Sequence, residues 1–177
     1  MSLLSHLLRS ARRRRPLVAV VAATALAMGG AVATTSGTAH AADTLLSQGK
    51  TATASSTENA GTPASAAVDG NTGTRWSSAA ADPQWLQVDL GATDTITSVA
   101  LNWETAYGTS FKIQTSDNAQ NWTDIYSTTT GTGGVQNLTV NGYGRYVRMY
   151  GTARATGYGF SLWEFQVYGS TGTTCGP

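Results

Sequence analysis

Ala66-Ala67-Val68-Asp69-Gly70-Asn71-Thr72-Gly73-Thr74-Arg75-Trp76 sets the oxygen-bearing side chains of Asp69, Asn71, Thr72 and Thr74 around a pair of glycines and closes on a large aromatic. A stretch of this composition has two common uses. It serves as an ordinary loop, in which Asp and Asn bond their own backbone and Gly supplies positive φ. It also serves as a cage for a hard cation, because Ca²⁺ gathers roughly six to eight carboxylate, carbonyl and hydroxyl oxygens on a strongly curved loop. The EF-hand pattern is not met, since Gly73 stands where a third acidic or amide residue belongs. The choice falls to the rest of the chain.

Around this stretch the sequence is that of an all-β protein, rich in Thr, Ser, Gly and aromatics and broken by frequent turn signals. Lys50 to Ser55 alternates and predicts a first strand. Thr62-Pro63 predicts the cap of a short helical turn through Ala64 to Val68. Gln84 to Leu90 places Leu86, Val88 and Leu90 on one face, with Gly91-Ala92-Thr93-Asp94 ending the strand. Thr95 to Trp103 does the same with Val99, Leu101 and Trp103, and Phe111, Ile113 and Thr115 alternate before a Ser116 to Asn121 turn. Ile125-Tyr126, Val135 to Val140, Tyr146 to Tyr150 and Leu162 to Tyr168 complete eight or so short strands. This pattern fits an antiparallel β-sandwich or jelly roll closed on a core without helices. The alternation also assigns Trp76, Trp85, Trp122 and Trp163 to the core.

Residues 1–41 stand apart. Arg9 and Arg12 to Arg15, the apolar Leu17 to Met28 and the small-residue Ala39-His40-Ala41 read as a secretory signal peptide cleaved after Ala41. The expected localisation is therefore extracellular. Without residues 1–41, six Lys and Arg face ten Asp and Glu, a net charge of −4, and both histidines, His6 and His40, are gone. The acidic balance argues against nucleic acid and anionic membranes as partners. The lack of imidazole excludes Ser-His-Asp and Cys-His nucleophile systems and His-ligated zinc. Cys175 is the only cysteine, so no internal disulfide forms. Residues 170–177 read as a Gly/Thr linker-like tail, leaving 42–169 as one domain.

In the last strand, Ser161-Leu162-Trp163-Glu164-Phe165-Gln166-Val167-Tyr168-Gly169, alternation puts Trp163, Phe165 and Val167 together and turns Glu164 the other way. A carboxylate there wants a partner, and a cation is one candidate. Four separated motifs now resemble a known family: Ala66-x-x-Asp69-Gly70-Asn71-x-x-Thr74-x-Trp76, Trp85-Leu86-Gln87-Val88-Asp89-Leu90-Gly91, Gly144-Arg145-Tyr146-Val147-Arg148 and Trp163 to Gly169. The family is the coagulation factor 5/8 type C, or discoidin, domain, and within it the bacterial carbohydrate-binding modules of family 32. The resemblance implies a structural Ca²⁺ held by backbone carbonyls of Ala66, Asn71 and Trp163, the carboxylates of Asp69 and Glu164, and the hydroxyl and carbonyl of Thr74. Every implied donor is oxygen, in keeping with the cage reading of the opening stretch.

The resemblance also implies a sugar site in loops at one end of the sandwich. The loops offer Glu58 and Asn59, Arg75, Glu104 with Tyr107, and Tyr158 with Phe160; singly, each is equally a solvated loop charge or an edge of the core. As a set they look like the members that bind chitosan or β-glucan, which carries the ligand-binding role onto Glu58, Arg75, Glu104 and Tyr158. Two carboxylates would pair with the ammonium of glucosamine. Galactose-binding members use a loop histidine, absent here.

Three functions of different classes follow. The first is a non-catalytic module that binds a polysaccharide, monomeric and either free-standing or tethered to a glycoside hydrolase such as a chitosanase or glucanase. The second is a small hydrolase using Glu58 and Glu104, for which a domain of roughly 130 residues with short loops leaves little cleft. The third is a phospholipid or adhesion domain, against which the net charge of −4 speaks.

Overall fold

The computed structural model describes residues 43–172. The expected leader and its cleavage point, and Cys175 in the tail, lie outside the described residues. Eight antiparallel strands follow in chain order: β1 Thr44–Leu45, β2 Thr51–Ala54, β3 Trp76–Ser77, β4 Gln84–Trp103, β5 Gly108–Ser116, β6 Thr123–Thr128, β7 Val135–Arg154 and β8 Ser161–Thr171. The expected helical turn is a single 3₁₀ turn, Ala64–Ala67, and Pro63 is its N-cap rather than its first helical residue.

The strand count matches expectation, but the strands are divided differently. Residues 86–89 of β4 pair with β2 on one edge, and residues 84–89 pair with 146–151 of β7 on the other. That half of β7 pairs in turn with β5, and β5 with β6. Residues 94–103 of β4 pair instead with β8 and with 135–144 of β7. The two long strands thus serve in both layers of the sandwich.

Gly91-Ala92-Thr93-Asp94 therefore does not end a strand; it is a bulged corner through which β4 continues. Gly91 adopts φ +91, which a side chain resists, and its N–H donates to Asp89 Oδ1 at 2.8 Å. Arg145 grips the same carboxylate with two bonds of 2.7 and 2.8 Å. Its guanidinium holds the Asp89 carboxyl below the usual carboxylate range against a modest opposing effect of burial.

Inward residues of both layers form one core that includes Leu86, Val88, Val99, Leu101, Phe111, Ile113, Val147, Met149, Phe165 and Val167. Full burial of each such side chain is worth about 1.5–3 kcal/mol. Trp76 is wholly buried, as expected, and Trp103 nearly so. Trp85, Trp122 and Trp163 are corrected: all three are half-buried. Trp85 alternates with the buried Gln84 and Leu86 and so takes the opposite side of β4. Trp122 precedes the edge strand β6 and carries the Arg148 guanidinium 3.9 Å from its ring centre.

Trp163 departs from expectation for a local reason. Asn102 pairs with Glu164 while Trp103 pairs with Leu162, so Trp163 is the extra residue of a β-bulge. The bulge lets Leu162 and Phe165 both enter the core, each fully buried. Trp163 is left outside the face it was expected to share with Phe165 and Val167, and Glu164 is buried beside the Asp69 loop.

Candidate functional site

The Ala66 to Trp76 stretch is pinned at both ends. The carbonyl of Val68 accepts the Gly49 N–H at 2.7 Å, and Trp76 fills the core while its Nε1 donates to the Ser56 carbonyl at 3.0 Å. Between these points Gly70 takes φ +78 and the loop turns oxygen inward on itself. Thr74 Oγ1 lies 2.7 Å from Asp69 Oδ2 and 2.9 Å from the Asn71 carbonyl. Asp69 Oδ1 accepts the Asn71 N–H at 2.8 Å.

Glu164 Oε1 has no hydrogen-bond partner, alone among the buried side-chain nitrogens and oxygens of the described residues. Burial pushes the Glu164 carboxyl up, the neighbouring Asp69 charge adds to that, and the Gly70 and Asn71 N–H groups offset it only in part. An orphaned, buried carboxylate oxygen facing a second carboxylate is costly unless a cation neutralises it. Among the described residues no three His, Cys, Asp or Glu side chains gather. A cation here would draw the rest of its shell from neutral oxygens, and the loop supplies them. The residues fit a hard cation of the Ca²⁺ class.

The same end of the sandwich carries a cleft of about 280 Å³, and Glu58, Arg75, Glu104 and Tyr158 all line it. Arg75 and Ser77, on either side of the buried Trp76, set the near wall. Ser77 accepts the Glu58 N–H on its carbonyl at 2.8 Å and the Arg75 Nε–H on its hydroxyl at 3.1 Å. The Arg75 guanidinium lies 5.5 Å from the centre of the Trp163 ring, so the bulged tryptophan braces it. The floor is a serine pair sequence reasoning did not single out. Ser77 Oγ and Ser161 Oγ stand 2.8 Å apart, both buried, and Ser161 donates to the Trp76 carbonyl at 3.2 Å. Only the pairing of β3 with β8 brings them together, and no local pattern announces it.

The far wall holds Glu104 and Tyr158. The Glu104 N–H donates to the Ser161 carbonyl at 3.0 Å, and its Oε2 accepts the Ala106 N–H at 2.9 Å. Burial pushes the Glu104 carboxyl up, but the Ala106 and Thr105 N–H groups, the Thr105 hydroxyl and the Arg75 charge outweigh it and hold it below its ordinary 4.5. Tyr158 is 74% exposed. Its loop is tied down by Arg154, which donates to the Tyr158 carbonyl at 3.0 Å and pairs with Asp82 at 3.2 Å. Of the other loop residues, Asn59 spends its side chain on the Gly61 N–H, Tyr107 packs against the core and Phe160 lies wholly within it. None of these three lines the cleft.

Gly159 shows how tightly the Tyr158 loop is seated. A Cβ on it would collide with the backbone carbonyl of Ser78 and with the Ser78 hydroxyl, which itself accepts the Phe160 N–H. Gly159→Ala is expected to displace the loop, lowering the melting temperature by several degrees and weakening ligand binding together. Thermal melts paired with binding isotherms check this, and a variant that melts and binds like the parent refutes it.

Residues 51–165 match the F5/8 type C domain model. No curated protein matches the chain. Among solved structures, chitosan-binding module 1 of a chitosanase/glucanase from Paenibacillus sp. IK-5 is 52% identical, with a TM-score of 0.69 over 71% of this chain and 99% of that one. Module 2 of the same enzyme, solved with chitotriose, is 49% identical, with a TM-score of 0.69 over 70% and 99%. The family 32 module of C. perfringens NanJ, solved with galactose, is 27% identical, with a TM-score of 0.63 over 71% and 98%.

Proposed function

The chain belongs to the F5/8 type C domain family, and from that premise we propose that its folded domain is a secreted, non-catalytic module that binds a polysaccharide, with chitosan as the ligand. The observation that carries this is the gathering of Glu58, Arg75, Glu104 and Tyr158, from four separate loops, on one cleft. An exposed phenol ring offers a face to the sugar's C–H surface, and the charged groups address its hydroxyls and amine. Two carboxylates against one guanidinium leave the cleft net acidic. That balance suits a cationic amino sugar better than a neutral glucan. Identity of 49–52% to modules that bind chitosan supports the same choice.

Glu104 is not suited to serve as the protonated acid of a catalytic Glu58 and Glu104 pair. A glycosidase acid needs a carboxyl raised so that it carries a proton near neutral pH. Glu104 is shifted the opposite way. The module acts by holding the polymer, as a monomer, either alone or on a tether to a hydrolase.

A structural Ca²⁺ belongs to this proposal. Asp69 and Glu164 with their carboxylates, Ala66, Asn71 and Trp163 with their carbonyls, and Thr74 with both its oxygens would hold it. Bound there, the ion supplies charge neutralisation for two facing carboxylates. The chain's own contribution is to link the loop that bears Arg75 to the bulge that bears Trp163, so that the near wall of the cleft is braced from behind.

Retention on cross-linked chitosan beads, which stay insoluble in acid, tests the function, and its pH dependence tests the chemistry. Because the folded-state value of Glu104 lies below 4.5, its charge persists as the pH falls past 4.5 and is lost only through the lowered value. Retention is expected to hold from neutral pH past 4.5, to fall as the pH drops through the lowered Glu104 value, and to decline on the alkaline side as the sugar amine loses its proton. Pull-downs across that range decide it. No retention at any pH refutes the ligand, and retention that grows with alkalinity refutes the pairing of ammonium with carboxylate.

A further inference from the structure

Three large apolar side chains stand exposed among the described residues: Val135, Tyr143 and Tyr158. Tyr158 lines the cleft. Tyr143 lies at the opposite end of the sandwich, where β7 passes the Ser116 to Asn121 turn, and it is 62% exposed. It sits between two glycines whose missing side chains matter. A Cβ on Gly142 would come within 2.9 Å of Ile125 and 3.1 Å of Thr115, and one on Gly144 within 3.0 Å of the Ser116 carbonyl. The backbone is therefore pressed against β5 and β6 before Tyr143 and against Ser116 after it, while the ring itself is mostly in water. The exposed part of the ring contributes little to folding stability.

The ring borders a cavity of about 310 Å³ whose other walls include Asp117, Asn118, Asn121 and Thr123. Asp117 is its one charged lining residue, fixed by the Thr93 hydroxyl at 3.1 Å. Asn118 Oδ1 accepts the Gln120 and Asn121 N–H groups at 3.0 and 2.9 Å. That locks the side chain and leaves its NH₂ donors for another acceptor. A stacking ring, a carboxylate without a basic neighbour in the cavity, and amide donors are the groups a sugar site requires. β5 runs from the cleft end at Gly108 to this end at Ser116, a span of roughly 26 Å.

We propose that Tyr143, Asp117 and Asn118 form a second, weaker sugar site at the pole opposite the cleft, for the same amino-sugar polymer, whose identity rests on the function proposed above. The two sites face away from each other. One domain then holds two polysaccharide chains and bridges them, gaining avidity on a polymer without new contacts at either site.

Titration of the full chain with a trimer of glucosamine, followed residue by residue by NMR, tests this. Shifts are expected at both poles in the parent, at the Tyr143 pole alone in the Glu58→Gln/Glu104→Gln double variant, and at the cleft alone in Tyr143→Ala. Tyr143→Phe, which keeps the ring, is expected to restore the polar response, so that loss in the alanine variant is not mistaken for a folding defect. On insoluble chitosan Tyr143→Ala is expected to lower apparent affinity by about 100-fold, the low end of the gain a second site gives. Shifts at the cleft alone in the parent, saturating with one equivalent, overturn the second site and leave the proposed function standing. Shifts at the Tyr143 pole alone overturn the assignment of the cleft and leave the second site standing, and shifts at neither pole overturn both.

Discussion

Glu104→Gln is expected to weaken binding of a glucosamine trimer by about 10- to 100-fold while leaving the melting temperature almost unchanged. A hydrogen bond to a charged group contributes about 1.5–3 kcal/mol, and each 1.4 kcal/mol is about a factor of ten in affinity. Glu104 sits in the favourable part of that range, because it is half-buried and its orientation is fixed by the Ala106 N–H. Removing its charge also leaves Arg75 to repel the incoming ammonium. Glu58 is exposed, so salt screens it more and Glu58→Gln should cost less. Titration calorimetry at low and moderate salt measures both. Equal affinity for the parent and both variants would remove the carboxylates from the site.

Removal of the cation is expected to lower the melting temperature by on the order of 10 °C. Occupancy at about 100 times Kd stabilises by about 2.7 kcal/mol, and about 1 kcal/mol shifts a domain of this size by roughly 3–5 °C. The informative comparison is with Glu164→Gln. In the metal-free parent Glu164 is a buried charge with an unpartnered oxygen beside Asp69. The neutral variant escapes that cost, so it should melt above the metal-free parent, below the metal-loaded parent, and be indifferent to chelator. Scanning calorimetry with Ca²⁺ and with chelator gives all the values needed. A parent shown to be metal-loaded beforehand that melts unchanged after chelation would sink the cation site.

Both expectations lean on residues that differ in how plainly the sequence displays them. The faces of Leu86, Val88 and Leu90, or of Val99 and Leu101, are legible because side-chain direction in a strand has a period of two and needs no knowledge of the partner. The corner at Gly91 is not. A glycine followed by polar residues looks locally like a terminator, and only the long pairing with β7 shows that β4 carries on. The tryptophans mislead for a related reason. Alternation says which residues share a side, but which side is covered depends on the other layer. The bulge at Trp163 then resets the phase within a single strand. Glu58, Arg75, Glu104 and Tyr158 carry no joint signal in the chain, as they are spread over 101 positions from first to last. Their grouping came from the resemblance of whole motifs, and the pairings of β3 and β4 with β8 supply its physical cause. The serine floor beneath them had no signal at all.

The pairing of β1 with β8 sets Thr44 opposite Gly169. Entry into and exit from the domain are therefore neighbours, a strand spacing of about 5 Å apart. Both lie at the end of β8 remote from Ser161, which lines the cleft. A domain wired this way is a plug-in part: both ends of its chain can join a single surface loop of another protein without prying that loop open, and the cleft lies at the end remote from the junction.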